Sequence, residues 1–550
     1  MTREVREIHG RLYLYENFYV WDRDAQRSRK VRSVYLGPCD KNKNVLSAPV
    51  PRVESVHSAF PVGPLACFYS GARDLAVVER TRTILAVPLP SAQAFLAMGL
   101  NQVVHRLALR LLPEWVQESP LPQWERWDVS QLSKRSFEDT LDALCHLSKT
   151  GTKVEKGMDL QDELTRAWRA ETREPAGYYY DFDITKVRFY GSTQPYAEMG
   201  HASDRSIRRV VGFGLVTSRV RHHPVQLRPI AGSRNDMLSV DETVARLEAA
   251  DVKGVTLVMD RGMVSPDNVA RVRKAGYHQI GMVRDGGDEW WEALGKWDER
   301  ELERPEHLVL RPSGERMFAR AWTGSMLGQS QLRLALVVDP EWKELERLGR
   351  KERLRELQGN PGTDRLRELR DELGIEDPRR SGKGGYAPGL LRKARGRRGF
   401  RVIPEKVEKQ EVRDGRHLLF STDPSMEAAE MCRAYFERDA IEKCFRTAKG
   451  PLSLAPIRYR SEVRLEAYSA VLYLGLLLWS WEERKLRKKY PRRTLEDALW
   501  ALRDVSLVRI GSGKTVREFT TRLNDEQKGL MRLLGGTRLL PHPQIAFQPR

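Results

Sequence analysis

The sequence predicts an α/β layered fold in which an antiparallel meander feeds parallel strands, and three observations predict it. Residues 178–189 are aromatic and β-branched with alternating character, and two further strand-like runs follow at 209–217 and 225–230; alternation of this kind marks strands buried on one face. A helical stretch at 237–249 then precedes a short apolar run at 255–259, which reads as a buried strand. Last, Ser265 and Pro266 open a helix over 266–275 as N-cap and first residue, and 279–283 is again strand-like. Three meander strands, a helix, a strand, a helix and a strand make a layered α/β order, in which reactive side chains collect at strand ends.

The flanking elements follow in order. Residues 11–37 alternate as short strands and stop at Gly37-Pro38; 64–112 is helical and closed by Pro113; 121–147 adds a helix. From 286 to about 415 a Trp-bearing segment, a strand at 332–338, a charged helical region at 341–373 and a basic loop interrupt the α/β order. A strand at 416–422 resumes it, followed by one long helix from near Pro424 to Lys449 and an apolar helix at 465–481. The uncharged part of that helix, 467–481, is shorter than the ~20 residues that span a bilayer, so no membrane partner is expected. The expected domains are 1–125, 126–176 (a helical connector), 177–285 with 416–482, 286–415 (an insertion) and 483–550 (a helical C-terminal region).

With 94 Lys and Arg against 75 Asp and Glu in 550 residues, the formal charge is +19 and the pI 9.7. Such a surplus favours a polyanion, because neutralised phosphates release counterions. Two clusters concentrate it: nine Lys or Arg and no acid over 379–401, and a second run over 484–493. Five scattered cysteines without a Cys-x-x-Cys pair argue against a disulfide framework or a thiolate zinc site. The charged N-terminus lacks an apolar signal segment, and a cytoplasmic, nucleoid-associated location is expected. Two decoys fall away. Gly511-Ser-Gly-Lys-Thr515 lacks the Gly a phosphate loop needs at the position of Val508, and His222-His223 has no third ligand at metal spacing.

Three acids stand where strands and helices would present them at one sheet edge: Asp183 in the first strand, Asp260 at the end of the buried strand, and Glu442 on the long helix. Converging carboxylates are hard ligands suited to Mg²⁺ or Mn²⁺, and two such ions can clamp the attacking and leaving oxygens of a phosphoryl transfer. Asp181, two residues before Asp183, shares its strand face and is the alternative first ligand. On a continuous helix Tyr435, Arg438, Glu442 and Lys449 would fall within about 60° of one another. Arg438 and Lys449 would then neutralise phosphate beside an acid, Arg as a fork and Lys as a point charge.

Tyr435-x2-Arg438-x3-Glu442-x6-Lys449 resembles the Tyr-Arg-Glu-Lys signature of the bacterial DDE transposases grouped in the insertion-sequence four superfamily. Asp183-Ile-Thr185, Gly232 with Asp236, and Asp260-Arg-Gly-Met263 are similar to further motifs of that family, although Gly232-Ser-Arg-Asn departs from its usual Gly-Asn. The resemblance covers about 178–285 and 411–480, with an N-terminal module like that of the longer members. It implies a ribonuclease-H-like catalytic core interrupted by a mixed, largely β insertion, with an N-terminal DNA-end-binding region of strands and helices. It also implies two Mg²⁺ or Mn²⁺ ions held by Asp183, Asp260 and Glu442, and cut-and-paste transposition. The partners it implies are the double-stranded inverted repeats of the element, target DNA, and a second subunit in a synaptic dimer. A Trp of the insertion would stack on a flipped base, with Trp290, Trp291 and Trp297 as candidates. Competing readings are a catalytically silent DNA-binding derivative and a stand-alone two-metal nuclease.

Overall fold

A computed structural model describes residues 2–22, 26–43, 56–173, 178–202, 206–220, 222–234, 236–312, 314–359, 362–375, 389–393, 400–512, 515–541 and 544–545. Most of the basic loop expected over 379–401 lies outside them. The chain divides into two compact units, one of Met1–Gly63, Ala501–Lys528 and Leu539–Arg550, the other of Pro64–Trp500 and Gly529–Arg538.

The larger unit is built on a ten-stranded mixed sheet. Its strands, numbered along the chain, are β1 (Tyr179–Arg188), β2 (Glu198–His201), β3 (Ile207–Ser218), β4 (His223–Ala231), β5 (Thr256–Met259), β6 (His278–Met282), β7 (Leu308–Leu310), β8 (Arg316–Met326), β9 (Gln329–Val338) and β10 (Arg416–Ser421). Their order is β4-β3-β1-β5-β6-β10-β9-β8-β7, with β2 paired to β3. β1, β3 and β4 form the expected antiparallel meander, while β5 runs parallel to β1 and β6 parallel to β5. β1 and β5 therefore lie in the middle of the sheet. Parallel strands need cover on both faces, and the β5 segment Thr256–Met259 is accordingly almost wholly apolar and buried. Helix α3 (Val240–Ala249) precedes β5, and α4 (Pro266–Lys274) joins β5 to β6. α4 begins as its sequence demands: Ser265 Oγ accepts a hydrogen bond from the Asn268 N–H at 3.2 Å, and Pro266 is its first residue.

The expected separate insertion domain is only partly realised. β7, β8 and β9 come from the insertion yet continue the same sheet, because β9 pairs antiparallel with β10 over six residues. The apolar alternation of β9 that predicts a strand carries no information on which edge it will join. The charged helical region expected at 341–373 is made of two helices, Pro340–Gln358 and Thr363–Leu373.

Helices cover the β4 end. α1 (Leu89–Val104), α2 (Lys156–Thr172) and the 28-residue α7 (Glu462–Lys489) pack together, with α2 and α7 against β4. Gly99 allows the close approach of α1 to α7, since a Cβ there would sit 2.4 Å from Leu474 Cδ2. No described helix is long and apolar enough to cross a membrane.

The long helix expected over 424–449 is instead two: α5 (Ala428–Phe436) and α6 (Asp439–Lys449), parted at Glu437 and Arg438. Neither proline nor glycine breaks it. A continuous helix would bond the Arg438 N–H to the Ala434 carbonyl and the Ala440 N–H to that of Phe436. The Arg219 side chain takes the first carbonyl and the Arg311 side chain the second. Two distant arginines thus stop the helix by capping its carbonyls.

In the smaller unit, Thr2–Ile8, Arg11–Asp22 and Arg27–Pro38 form an antiparallel three-stranded sheet. Val56–Pro61, Ser506–Ser512, Thr515–Thr521 and Gln544–Ile545 form another. The C-terminal region, expected to be helical, therefore also carries a β-hairpin, and Gly511-Ser512 and Thr515 belong to its two strands. A phosphate loop would need a helix there.

Candidate active site

The two aspartates meet because of strand register. In the parallel pairing Val258 is level with Asp181 and Met259 with Phe182. One step further, Asp260 leaves β5 level with Asp183 on the neighbouring strand. Neighbouring strands are about 4.8 Å apart, so two carboxylates stand side by side in the middle of the sheet. Asp260 precedes a short 3-10 turn, Arg261–Met263, but makes no capping hydrogen bond to it, and its carboxylate is 48 % exposed. Arg261 turns aside to Asp285 at 2.5 Å, and Asp285 is paired in turn with Arg413. Asp183 is half-buried and accepts the N–H of Ile184 at 2.7 Å.

Asp181 serves a different purpose. It is fully buried, and Arg219 grips both its oxygens, Nε at 2.9 and 3.0 Å and Nη2 at 2.5 Å. Burial pushes its carboxyl above the usual range while Arg219 and Arg438 pull it down and Glu442 adds a further push. Because Arg219 also caps Ala434, the Asp181–Arg219 pair ties β1 to the end of α5. This makes Asp181 a structural anchor and leaves Asp183 as the acid with access to solvent. Arg219 was not singled out from the sequence, and no local pattern could have found it, since its partner lies 38 residues away.

α6 packs on β1 and β3 and brings the rest of the signature in. Arg438 Nη2 lies 3.5 Å from Asp260 Oδ1, and Tyr435 Oη donates to the same oxygen at 3.4 Å. Burial opposes the charge of Arg438, but Asp183, Tyr435, Asp260 and Asp181 together hold the guanidinium charged. Its Nη1 is buried with no hydrogen-bond partner among the described residues, a donor suited to one more acceptor such as a phosphate oxygen. Tyr435 is 6 % exposed, and burial followed by Asp260 pushes its phenol upward.

The single helical stripe of four residues is therefore not what the structure has. Tyr435 lies in the last turn of α5 and packs in the core, Arg438 sits in the break, and only Glu442 and Lys449 share a helix, both exposed. The break still serves the site, because it frees Arg438 from helical geometry to reach the aspartates. Glu442, in the first turn of α6, lies near enough to Asp181 to act on its charge. Among the described residues no three His, Cys, Asp or Glu side chains stand close enough together to hold a metal ion. The donors present are still of the right kind. Mg²⁺ is commonly held by one or two carboxylates, with water and substrate phosphate completing its shell, and Asp183 and Asp260 supply two.

The three tryptophans separate. Trp290 is 4 % exposed in a core cluster with Leu294, Leu334 and Phe420, which leaves it no open face for a base and removes it as a stacking candidate. Trp291 and Trp297 are half-buried. Lys409 lies 4.4 Å over the Trp291 ring and Arg320 4.3 Å over that of Trp297, which also meets Trp322 edge-on at 5.1 Å.

No protein-family model matches the chain, and no curated protein matches it in sequence. Among solved structures, a piggyBac transposase synaptic complex with hairpin DNA aligns with 86 % of this chain and 79 % of its own, at 11 % identity and a TM-score of 0.34.

Proposed function

We propose that the protein is a DDE transposase of the Tyr-Arg-Glu-Lys group: a metal-dependent DNA phosphoryl transferase that cleaves the ends of an insertion sequence and joins them to target DNA. The observation that carries this reading is the level placement of Asp183 and Asp260 on adjacent central parallel strands, with Arg438 drawn to both from the foot of the helix that bears Glu442. The order β4-β3-β1-β5-β6, three antiparallel strands and then two parallel ones, supports a ribonuclease-H-like core.

In this reading Asp183 and Asp260 would hold Mg²⁺ or Mn²⁺, Glu442 would join them as a third carboxylate once metal and DNA are bound, and the ions would supply charge stabilisation and an activated nucleophile for in-line displacement at phosphorus. Arg438 neutralises the scissile phosphate through its unpartnered Nη1. Lys449, three turns along α6, contacts the backbone further out. Water cleavage leaves a 3′-hydroxyl, which then displaces the 3′-oxygen of a target phosphodiester and leaves a new 3′-hydroxyl on the target strand. The partners are inverted-repeat and target duplexes held by a dimer in the bacterial cytoplasm, and Trp291 or Trp297 stacks on a base at the end.

The test is Mg²⁺-dependent cleavage of a labelled duplex carrying the DNA that flanks the gene. Cleavage at one junction that disappears in Glu442→Gln, with binding retained, supports the proposal. Binding without cleavage by the wild type contradicts it and favours a silent DNA-binding derivative.

A further inference from the structure

The N-terminal sheet carries an unusual face. Residues directly opposite in antiparallel strands share a face, and alternate residues of one strand do too. Along Arg11–Asp22 the odd positions are Arg11, Tyr13, Tyr15, Asn17, Tyr19 and Trp21. Their partners are Ile8, Arg6, Glu4 and Thr2 from the first strand, and Tyr35, Ser33, Lys30 and Ser28 from the third. One face thus presents five aromatic rings: Tyr13, Tyr15, Tyr19, Trp21 and Tyr35. The three outermost are well exposed, Trp21 at 56 %, Tyr35 at 52 % and Tyr19 at 43 %.

This face is built, and it is not a core left open. Asn17, buried between the rings, donates to Glu4 at 2.5 Å and accepts from Ser33 Oγ at 2.7 Å, which fixes all three strands in register. Tyr35 packs against Tyr13 and Tyr15 with ring centroids 6.0 and 5.4 Å away, and Arg6 lies 4.6 Å over Tyr15. Charge points to the occupant. Arg6, Arg11 and Lys30 face the rings, against the single acid Glu4, which is itself paired to Arg6 and Lys30. Three further arginines, Arg27, Arg29 and Arg32, pair with Asp22, Val20 and Phe18 and so belong to the opposite face of the same hairpin, which leaves Arg6, Arg11 and Lys30 as the cations of the aromatic face. An aromatic face ringed by cations suits a ligand with flat apolar faces and a polyanionic backbone.

Resting on the reading of the chain as a DNA-processing enzyme, we propose that this face binds single-stranded DNA, with unpaired bases stacked on Trp21, Tyr19 and Tyr35 and the backbone held by Lys30, Arg6 and Arg11. Tyr19 and Trp21, alternate residues of one strand, are about 6.8 Å apart, a span that two neighbouring bases of an extended single strand can follow, and Tyr35, opposite Tyr15 on the adjacent strand, offers a further ring along the same face; paired bases in a duplex offer no free faces. Stacking of this kind tolerates any sequence. The platform would hold a strand after cleavage has opened the duplex.

The experiment is fluorescence anisotropy of the full-length protein with labelled oligo(dT) and with a duplex of equal length, for wild type, Tyr19→Ala, Trp21→Ala and Trp21→Phe. Each alanine variant should weaken oligo(dT) binding about 10-fold or more while duplex binding changes less than about 2-fold, and Trp21→Phe should restore most of the loss because the ring remains. Equal loss on both probes overturns the proposal in favour of duplex-groove contact, and unchanged oligo(dT) binding overturns it outright. Cleavage is not read in this assay, so failure here leaves the metal-dependent activity of Asp183, Asp260 and Glu442 standing, and failure of that activity leaves this result interpretable.

Discussion

Replacing Arg219 by Leu separates the two neighbouring aspartates by role. The substitution leaves Asp181 with 0 % exposure and removes the only side chain that hydrogen-bonds its carboxylate among the described residues. Breaking one partner out of a buried pair costs about 3–5 kcal/mol, since an uncompensated charge stays behind. The Ala434 carbonyl also loses its cap, adding about 1 kcal/mol. The expected loss is therefore about 4–6 kcal/mol in urea unfolding followed by circular dichroism. Asp183→Asn, at a half-exposed position, should shift the same curve by less than about 1 kcal/mol. The double variant Arg219→Leu/Asp181→Leu removes both charges and should recover much of the loss. If Arg219→Leu unfolds like wild type, or if Asp183→Asn is the more damaging change, the division into a structural Asp181 and a reactive Asp183 is wrong.

Other consequences are equally specific. Burial pushes the Asp162 carboxyl up to about 7, so its protonated form is favoured in the folded state. Its contribution is full below the unfolded carboxylate range near pH 4 and is lost as pH rises through 7. Asp162→Asn should therefore flatten the fall in stability between about pH 4 and 7, and an unchanged slope of unfolding free energy against pH counts against this. Gly232→Ala places a Cβ 1.9 Å from the Val210 carbonyl oxygen and should destabilise by about 3 kcal/mol or more, read as a lowered urea midpoint. Lys449→Ala should reduce the slope of log binding constant against log salt on duplex DNA by about one unit if Lys449 contacts a phosphate; an unchanged slope removes it from the interface.

How much the sequence disclosed depends on how local each determinant is. The meander, β5, β9 and the Ser265-capped α4 rest on alternation and capping within a few residues, and the structure has them where the pattern puts them. The end of α5 is decided by Arg219 and Arg311, more than 100 residues away in sequence, so a helical pattern running through 428–449 reads as one helix. The same distance effect hides the destination of β8 and β9. Asp183 and Asp260 are legible individually, one as an acid within a strand and the other as an acid at a strand end, but their side-by-side placement depends on the parallel register of β1 with β5. Trp290 shows the converse limit. Three tryptophans in a short stretch cannot be sorted by sequence into core and surface, and packing decides it.

The most direct measurement of the central claim is a ligand-softness swap. Asp183→Cys and Asp260→Cys would each replace a hard carboxylate with a thiolate, which Mg²⁺ binds poorly and Mn²⁺ accepts better. If these residues hold the ions, both variants should fail to cleave the flanking-end duplex in Mg²⁺ and regain cleavage in Mn²⁺, with DNA binding unchanged throughout. Full cleavage by either variant in Mg²⁺ would contradict the assignment.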